Sequence, residues 1–179
     1  ISNQWCMIHC TQMDPHEVKM LAKTQAIAGL CPITESSLGD GIFEGTNWMS
    51  NNGNIAIGSD SNIRISLSEE LRTLEYSQRL RDRSRAALAN SHQSTGRRLF
   101  EEICKGGAQA AGRKTGFIKE GYLADLLALD TSHIDLEQHK KDTLLDSYIF
   151  SGDDRMISDV WSAGRHLVKN GEHVSRPEI

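Results

Sequence analysis

The sequence predicts an α/β protein organised on parallel strands. Three observations lead there. The run Ile55-Ala56-Ile57-Gly58-Ser59-Asp60-Ser61 passes abruptly from apolar residues to a small residue, a hydroxyl and a carboxylate. A buried parallel strand looks like this when it delivers one charged side chain to its C-terminal mouth. The first sixty residues alternate strand-like and helix-like stretches with short links, the pattern of a βαβαβ unit with right-handed crossovers. His9, Glu35 and Asp60 fall at the C-terminal ends of the strand-like runs or just beyond, where parallel α/β architectures build their sites.

Bulk composition narrows the classes. The 179 residues suffice for one domain or slightly more. The formal net charge of -4 comes without a basic patch, which argues against a nucleic-acid partner. No apolar run approaches the roughly 18 residues of a membrane span. Cys6, Cys10, Cys31 and Cys104 form no Cys-x-x-Cys pair. They read as reduced, buried thiols, and that favours the cytoplasm. The chain starts at Ile1 with no signal peptide before it, and a strand-like run begins almost at once at Trp5. Processing would produce such a start, and so would a chain cut in mid-domain.

The elements follow in order. Trp5 to His9 reads as a strand, with Trp5, Met7 and His9 on one face and Cys6, Ile8 and Cys10 on the other. That alternation argues against a Cys6–His9–Cys10 metal cluster. Asp14 as N-cap and Pro15 at the first helical position open a helix to about Thr24. A second strand runs from Ala26 to Cys31 and ends at Pro32. A polar loop is expected through Thr34, Glu35, Ser36 and Ser37 to Gly39-Asp40-Gly41. A short helix over Thr46 to Ser50 and a turn at residues 51–54 lead to the central strand. There alternation places Ala56, Gly58 and Asp60 on one face and Ile55, Ile57 and Ser59 on the other.

A long helix is expected from Ser68 to Ala89, its second half carrying Arg79, Arg81, Arg83 and Arg85 around Asp82. Two readings of this basic stretch stand: a solvated face with local ion pairs, or an anion-recognition surface. Another helix covers Arg97 to Ala111, with Gly112 as cap. Near Lys114 the helical period gives way to short β-like runs at 124–129, 157–161 and 167–168, with a hairpin signal at Asn170-Gly171 and a short helix at 143–147. The expected units are residues 1–115 and 116–179.

The motifs in this order resemble a known family. A strand ends in His9. A second is followed by Cys31-Pro32 with Thr34, then Leu38-Gly39-Asp40-Gly41, and a third ends in Gly58-Ser59-Asp60. The segment Gly116 to Leu126 completes the series. Together they resemble the second half of a metal-dependent amidohydrolase-superfamily deaminase. The runs Leu38-Gly39-Asp40-Gly41-Ile42-Phe43 and Gln78-Arg79-Leu80-Arg81-Asp82-Arg83 bring the resemblance closest to the formimidoylglutamate deiminases. The resemblance implies strands six to eight of a (β/α)8 TIM barrel, followed by part of a small β-sandwich domain.

It also implies roles. Asp60 would be a ligand of one catalytic zinc and a proton carrier. His9 would be a catalytic residue that positions and polarises the reacting group without binding the metal. Glu35 and Ser61 would contact a small-molecule substrate. The implied reaction converts N-formimidoyl-L-glutamate to N-formyl-L-glutamate and ammonia. The implied assembly is a cytoplasmic homodimer with no nucleic-acid or membrane partner. Asn62 stands where the family has a His, and Arg64 where it has a small residue. The first-strand His-x-His and the fifth-strand metal His of the family have no counterpart in this sequence. The chain is therefore expected to be the C-terminal half of a deaminase, inactive and poorly soluble alone. The alternatives are another amidohydrolase deaminase, of the guanine or cytosine type, and a non-catalytic interaction module.

Overall fold

Asp14 caps the first helix as its sequence suggests. Its carboxylate accepts from the His16 and Glu17 N–H groups, and Glu17 returns a bond to the Asp14 N–H at 2.9 Å. This reciprocal box fixes α1 (Pro15–Lys23) directly after β1 (Cys6–Ile8). The structure, a computed structural model, describes residues 1–176. β2 (Ile27–Leu30) and β3 (Asn54–Ile57) follow, and the three strands form one parallel sheet in the order β1-β2-β3. Register places Ile8 beside Gly29 and Gly29 beside Ala56. The His9 N–H bonds Gly29 O at 2.8 Å and the Gly58 N–H bonds Leu30 O at 3.0 Å. The ladder thus continues to the two residues that open onto the mouth.

The stretch expected to be a polar loop after β2 is a helix, α2 (Pro32–Leu38). Pro32 sits at its first position, where a missing N–H costs nothing. Gly39, at φ +73°, ends it in a left-handed cap. Read as a strand terminator, Pro32 had concealed the helix it starts. The next helix, α3 (Gly45–Ser50), brings Trp48 into the core, with its ring N–H on Asn54 O at 3.0 Å.

α4 (Leu67–Asp82) is shorter than the expected 68–89. Arg83 adopts φ +50° and stops it. The chain then doubles back because Glu75, fully buried, accepts from the Ala87 and Leu88 N–H groups at 2.8 and 2.9 Å. Of the two readings of the basic stretch, local ion pairing holds: Arg79 and Arg81 pair with Glu75, Asp82 and Glu44, and Arg83 and Arg85 are exposed. Arg79 bonds Glu75 at 2.6 Å, and its guanidinium lies near the rings of Tyr76 and Phe150. Arg81 holds Phe43 O, Thr46 Oγ1 and Glu44. Gln78, also buried, donates to Phe43 O at 2.9 Å. These side chains staple the loops at 43–46 and 83–88 to the helix.

α5 (Thr95–Ala110) lies against β3. Its Gly106 meets the Ile55 carbonyl so closely that any Cβ there would overlap it. This contact fixes the height of β3, and with it the position of Asp60. The N-terminus of α5 receives Asp142 and Asp146 from α6 (Asp142–Phe150), through the Ser94 and Gly96 N–H groups. Arg72 of α4 satisfies Ile149 O and Gly152 O at the other end of α6. One core runs through these elements, from Val18, Ala28 and Ile55 to Leu71, Leu99, Tyr148 and Met156.

A second sheet is antiparallel, ordered β4 (Leu126–Leu129), β5 (Ile157–Ser162), β6 (Arg165–Lys169), β7 (Glu172–His173). Asn170 and Gly171, both at positive φ, make the tight turn between its last two strands. Among the described residues, no helix is long and apolar enough to cross a membrane.

Candidate active site

The C-terminal ends of the three parallel strands bring His9, Glu35 and Asp60 together. His9 stands one residue past β1, at φ +66°, and Cys10 follows at φ +53°. This left-handed pair breaks the alternation expected along the first strand. The His9 ring turns to the strand mouth, while Cys10 packs on the core. Nδ1 of His9 lies 3.3 Å from Oε1 of Glu35, and Nε2 lies 3.8 Å from Oδ2 of Asp60. Nδ1 is within hydrogen-bond reach of Glu35, whose carboxylate accepts, while Nε2 and Asp60 face each other beyond hydrogen-bond distance.

Glu35 is the buried member, its side chain 6% exposed against 34% for His9 and 37% for Asp60. The same Oε1 accepts from the Cys31 N–H at 2.8 Å. Burial pushes the Glu35 carboxyl up, and the bonds from Cys31 and His9 pull it back. It lines a cleft of about 250 Å³ with Pro32, Ser36, Gly39 and Phe43. Thr34, on the same helix, donates to Ser59 O at 3.3 Å and ties α2 to the end of the third strand.

Asp60 occupies left-handed backbone at φ +53°, a conformation that Asp tolerates better than most residues. Its Oδ1 accepts from the Ser61 N–H at 2.7 Å, which leaves Oδ2 to the mouth. Ser61 thus lies against Asp60, with its hydroxyl at 3.5 Å. Asn62 accepts from the Arg64 N–H at 2.9 Å, and the Arg64 side chain pairs with Glu69 on the surface.

Two contributors were not singled out from sequence. The Cys31 thiol lies with His9 and Asp60, their donor atoms all within 4.8 Å of one another. Its place at the end of β2 matches that of His9 and Asp60 on their own strands, and this was the available signal. Nitrogen, sulfur and carboxylate donors suit a borderline-soft divalent ion such as zinc. The second is Glu70, 2% exposed, which accepts from the Ile33 N–H at 2.9 Å and so holds the first turn of α2. Its other oxygen, Oε1, is buried with no partner among the described residues. No sequence pattern marks it, because Glu69 beside it is equally polar.

Burial pushes the Glu70 carboxyl up to about 7. A raised carboxyl pKa favours the fold while the group is protonated. The contribution is complete below about 4.5 and is lost as pH rises to about 7. Glu70→Gln is therefore expected to remove a pH-dependent loss of at most about 3 kcal/mol. Unfolding both chains in urea at pH 5 and pH 7.5 checks this. Equal losses in the two would refute it.

The model of the amidohydrolase family matches residues 3–167. The chain belongs to this family. It is 45% identical over 174 residues to formimidoylglutamate deiminase of Pseudomonas aeruginosa, covering 97% of this chain and 38% of that protein. It is 28% identical over 177 residues to 5'-deoxyadenosine deaminase of Methanopyrus kandleri, covering 95% of this chain and 38% of that protein. Among solved structures, the amidohydrolase from Brucella melitensis superposes with TM-score 0.91 at 44% identity, covering 99% of this chain and 39% of that one. An adenosine deaminase from Xanthomonas campestris with bound zinc superposes with TM-score 0.85 at 23% identity, covering 97% and 39%, a likeness of fold. The chain thus spans 38–39% of the length of these amidohydrolase relatives.

Proposed function

We propose that this chain is the C-terminal part of a deaminase that hydrolyses N-formimidoyl-L-glutamate to N-formyl-L-glutamate and ammonia. The observation that carries the reading is the His9–Asp60 pair at the mouth of the parallel strands, with Glu35 behind it. The 45% identity to a formimidoylglutamate deiminase supports the substrate. In this reading residues 1–115 supply strands six to eight of a (β/α)8 barrel, and residues 116–179 belong to a flanking β-sandwich domain. The protein works as a cytoplasmic homodimer on a small molecule.

Asp60 is the residue here that would hold a zinc ion, and such an ion lowers the pKa of water toward neutrality. Asp60 Oδ2 takes the proton of the attacking water and returns it to the departing nitrogen. The water oxygen bonds to the formimidoyl carbon as its C=N bond becomes single; both water protons pass in turn to the terminal nitrogen, the C–N bond breaks as the C=O bond forms, and ammonia leaves. Nε2 of His9, its ring held through Nδ1 by Glu35, orients and polarises the reacting group. Ser61, beside Asp60, faces the substrate.

Reading the coding DNA upstream of Ile1 tests the barrel assignment. A frame that continues back through a strand-borne His-x-His supports it, and a start codon at Ile1 counts against a single-chain enzyme. Substrate choice is tested on the protein so completed. Ammonia should be released from formimidoylglutamate and not from guanine or 5'-deoxyadenosine. The 179-residue chain alone is expected to release none, and strong release by it would defeat the assignment.

A further inference from the structure

We propose that Glu70 is a positioning residue of the active site, one that caps α2 from α4 and so aims Glu35 at His9 and Thr34 at the strand end that carries Asp60. The role rests on the deamination reading, because it needs a reaction at that mouth. Glu70 itself touches no substrate in this proposal and acts only through α2.

α2 takes its cap from outside. A helix start leaves its first N–H groups without intrahelical partners. Cys31 precedes α2, and its side chain makes no capping bond. Pro32 has no N–H to place, so Ile33 brings the first donor. That N–H goes to Oε2 of Glu70 at 2.9 Å, from a residue 2% exposed. Glu70 lies in the first turn of α4, and α4 packs on α2. α2 has only seven residues, so a tilt at its first turn moves all of it.

What α2 carries is the back of the site. Glu35 accepts from the Cys31 N–H at 2.8 Å and lies 3.3 Å from Nδ1 of His9. Thr34 donates to Ser59 O at 3.3 Å, next to Asp60. Both contacts that set the mouth thus hang on one short helix, and that helix on Glu70. A displacement of about 1 Å at reacting groups can cost about 10²-fold in rate. The second oxygen of Glu70, Oε1, is buried without a partner among the described residues. Burying it so costs stability, and the carboxyl is better explained by the bond it makes to α2.

Variants of the completed enzyme test the role, read as kcat and KM for ammonia release from formimidoylglutamate beside the thermal midpoint. Glu70→Met keeps most of the volume and removes the acceptor. Its kcat should fall about 10²-fold while KM stays within about threefold. Glu70→Gln keeps an acceptor for the Ile33 N–H and should recover most of that loss. Burial pushes the Glu70 carboxyl up to about 7, so the amide copies the neutral acid well. A purely structural role would lower the midpoint and leave kcat per folded molecule alone. Because Glu70 acts through α2, Glu70→Met should cost far less in a Glu35→Gln background than in the parent. Where Glu70→Met does not fold, Glu70→Asp takes its place, its shorter arm withdrawing the acceptor. Parental kcat without the acceptor, Glu70→Gln as impaired as Glu70→Met, or fully multiplying losses with Glu35→Gln would each overturn the proposal. With an active parent these results leave the deamination reading standing. A parent that releases no ammonia from formimidoylglutamate overturns both.

Discussion

Asp60→Asn in the completed enzyme is expected to lower ammonia release from formimidoylglutamate at least about 10³-fold, with no loss of fold. The amide keeps the Oδ1 that accepts from the Ser61 N–H at 2.7 Å. It also tolerates φ +53°, so the turn after the third strand survives. What disappears is the basic Oδ2 that faces His9 at 3.8 Å. Measuring kcat beside the thermal midpoint separates chemistry from stability. Activity within tenfold of the parent would remove Asp60 from both of its proposed roles. His9→Asn should show a smaller fall, because it takes away orientation of the reacting group and spares the proton carrier.

Glu75→Ala is expected to cost about 2–4 kcal/mol of stability, the usual consequence of leaving buried backbone donors without their acceptor. Glu75 accepts from Arg79 and from the Ala87 and Leu88 N–H groups, and its side chain is wholly buried. Its removal leaves two backbone donors and a guanidinium unpaired, and frees the return of the chain over Leu88. Urea unfolding reads the loss directly. A change under about 1 kcal/mol would show that the loop at 83–88 is held by Leu88 packing alone. Gln at this position keeps the acceptor oxygen but adds donors the pocket cannot use, so it should fall between the parent and Ala.

The strand–helix alternation was legible because Asp14-Pro15 and the Ile55–Asp60 run each carry a local physical signal. The strand-end positions of His9 and Asp60 follow from it. The direction of the His9 ring does not, since left-handed backbone at two successive non-glycine residues has no sequence signature. α2 was missed for a related reason: Pro32 suits both a strand's end and a helix's first position. The local ion pairs of the basic stretch were legible, but the contacts of Arg81 to Phe43 and Thr46 were not, because periodicity reports which face a side chain occupies and not what segment returns to cover it. Burial of Glu70, Glu75 and Gln78 is decided by α2 and by the loops at 43–46 and 83–88. Cys31 read as a reduced, buried thiol, and only the folded chain shows its sulfur beside His9 and Asp60.

The left-handed backbone at Asp60 bears on how this position drifts over evolutionary time. Asp, Asn and Gly are the residues that sit most comfortably at φ +53°. A single-base change converts an Asp codon to either of the other two. Purifying selection for a folded, soluble product would therefore pass both replacements unnoticed. Only selection on the reaction itself retains the carboxylate, so a gene copy released from that demand would decay first to a well-folded, silent relative rather than to a misfolded one.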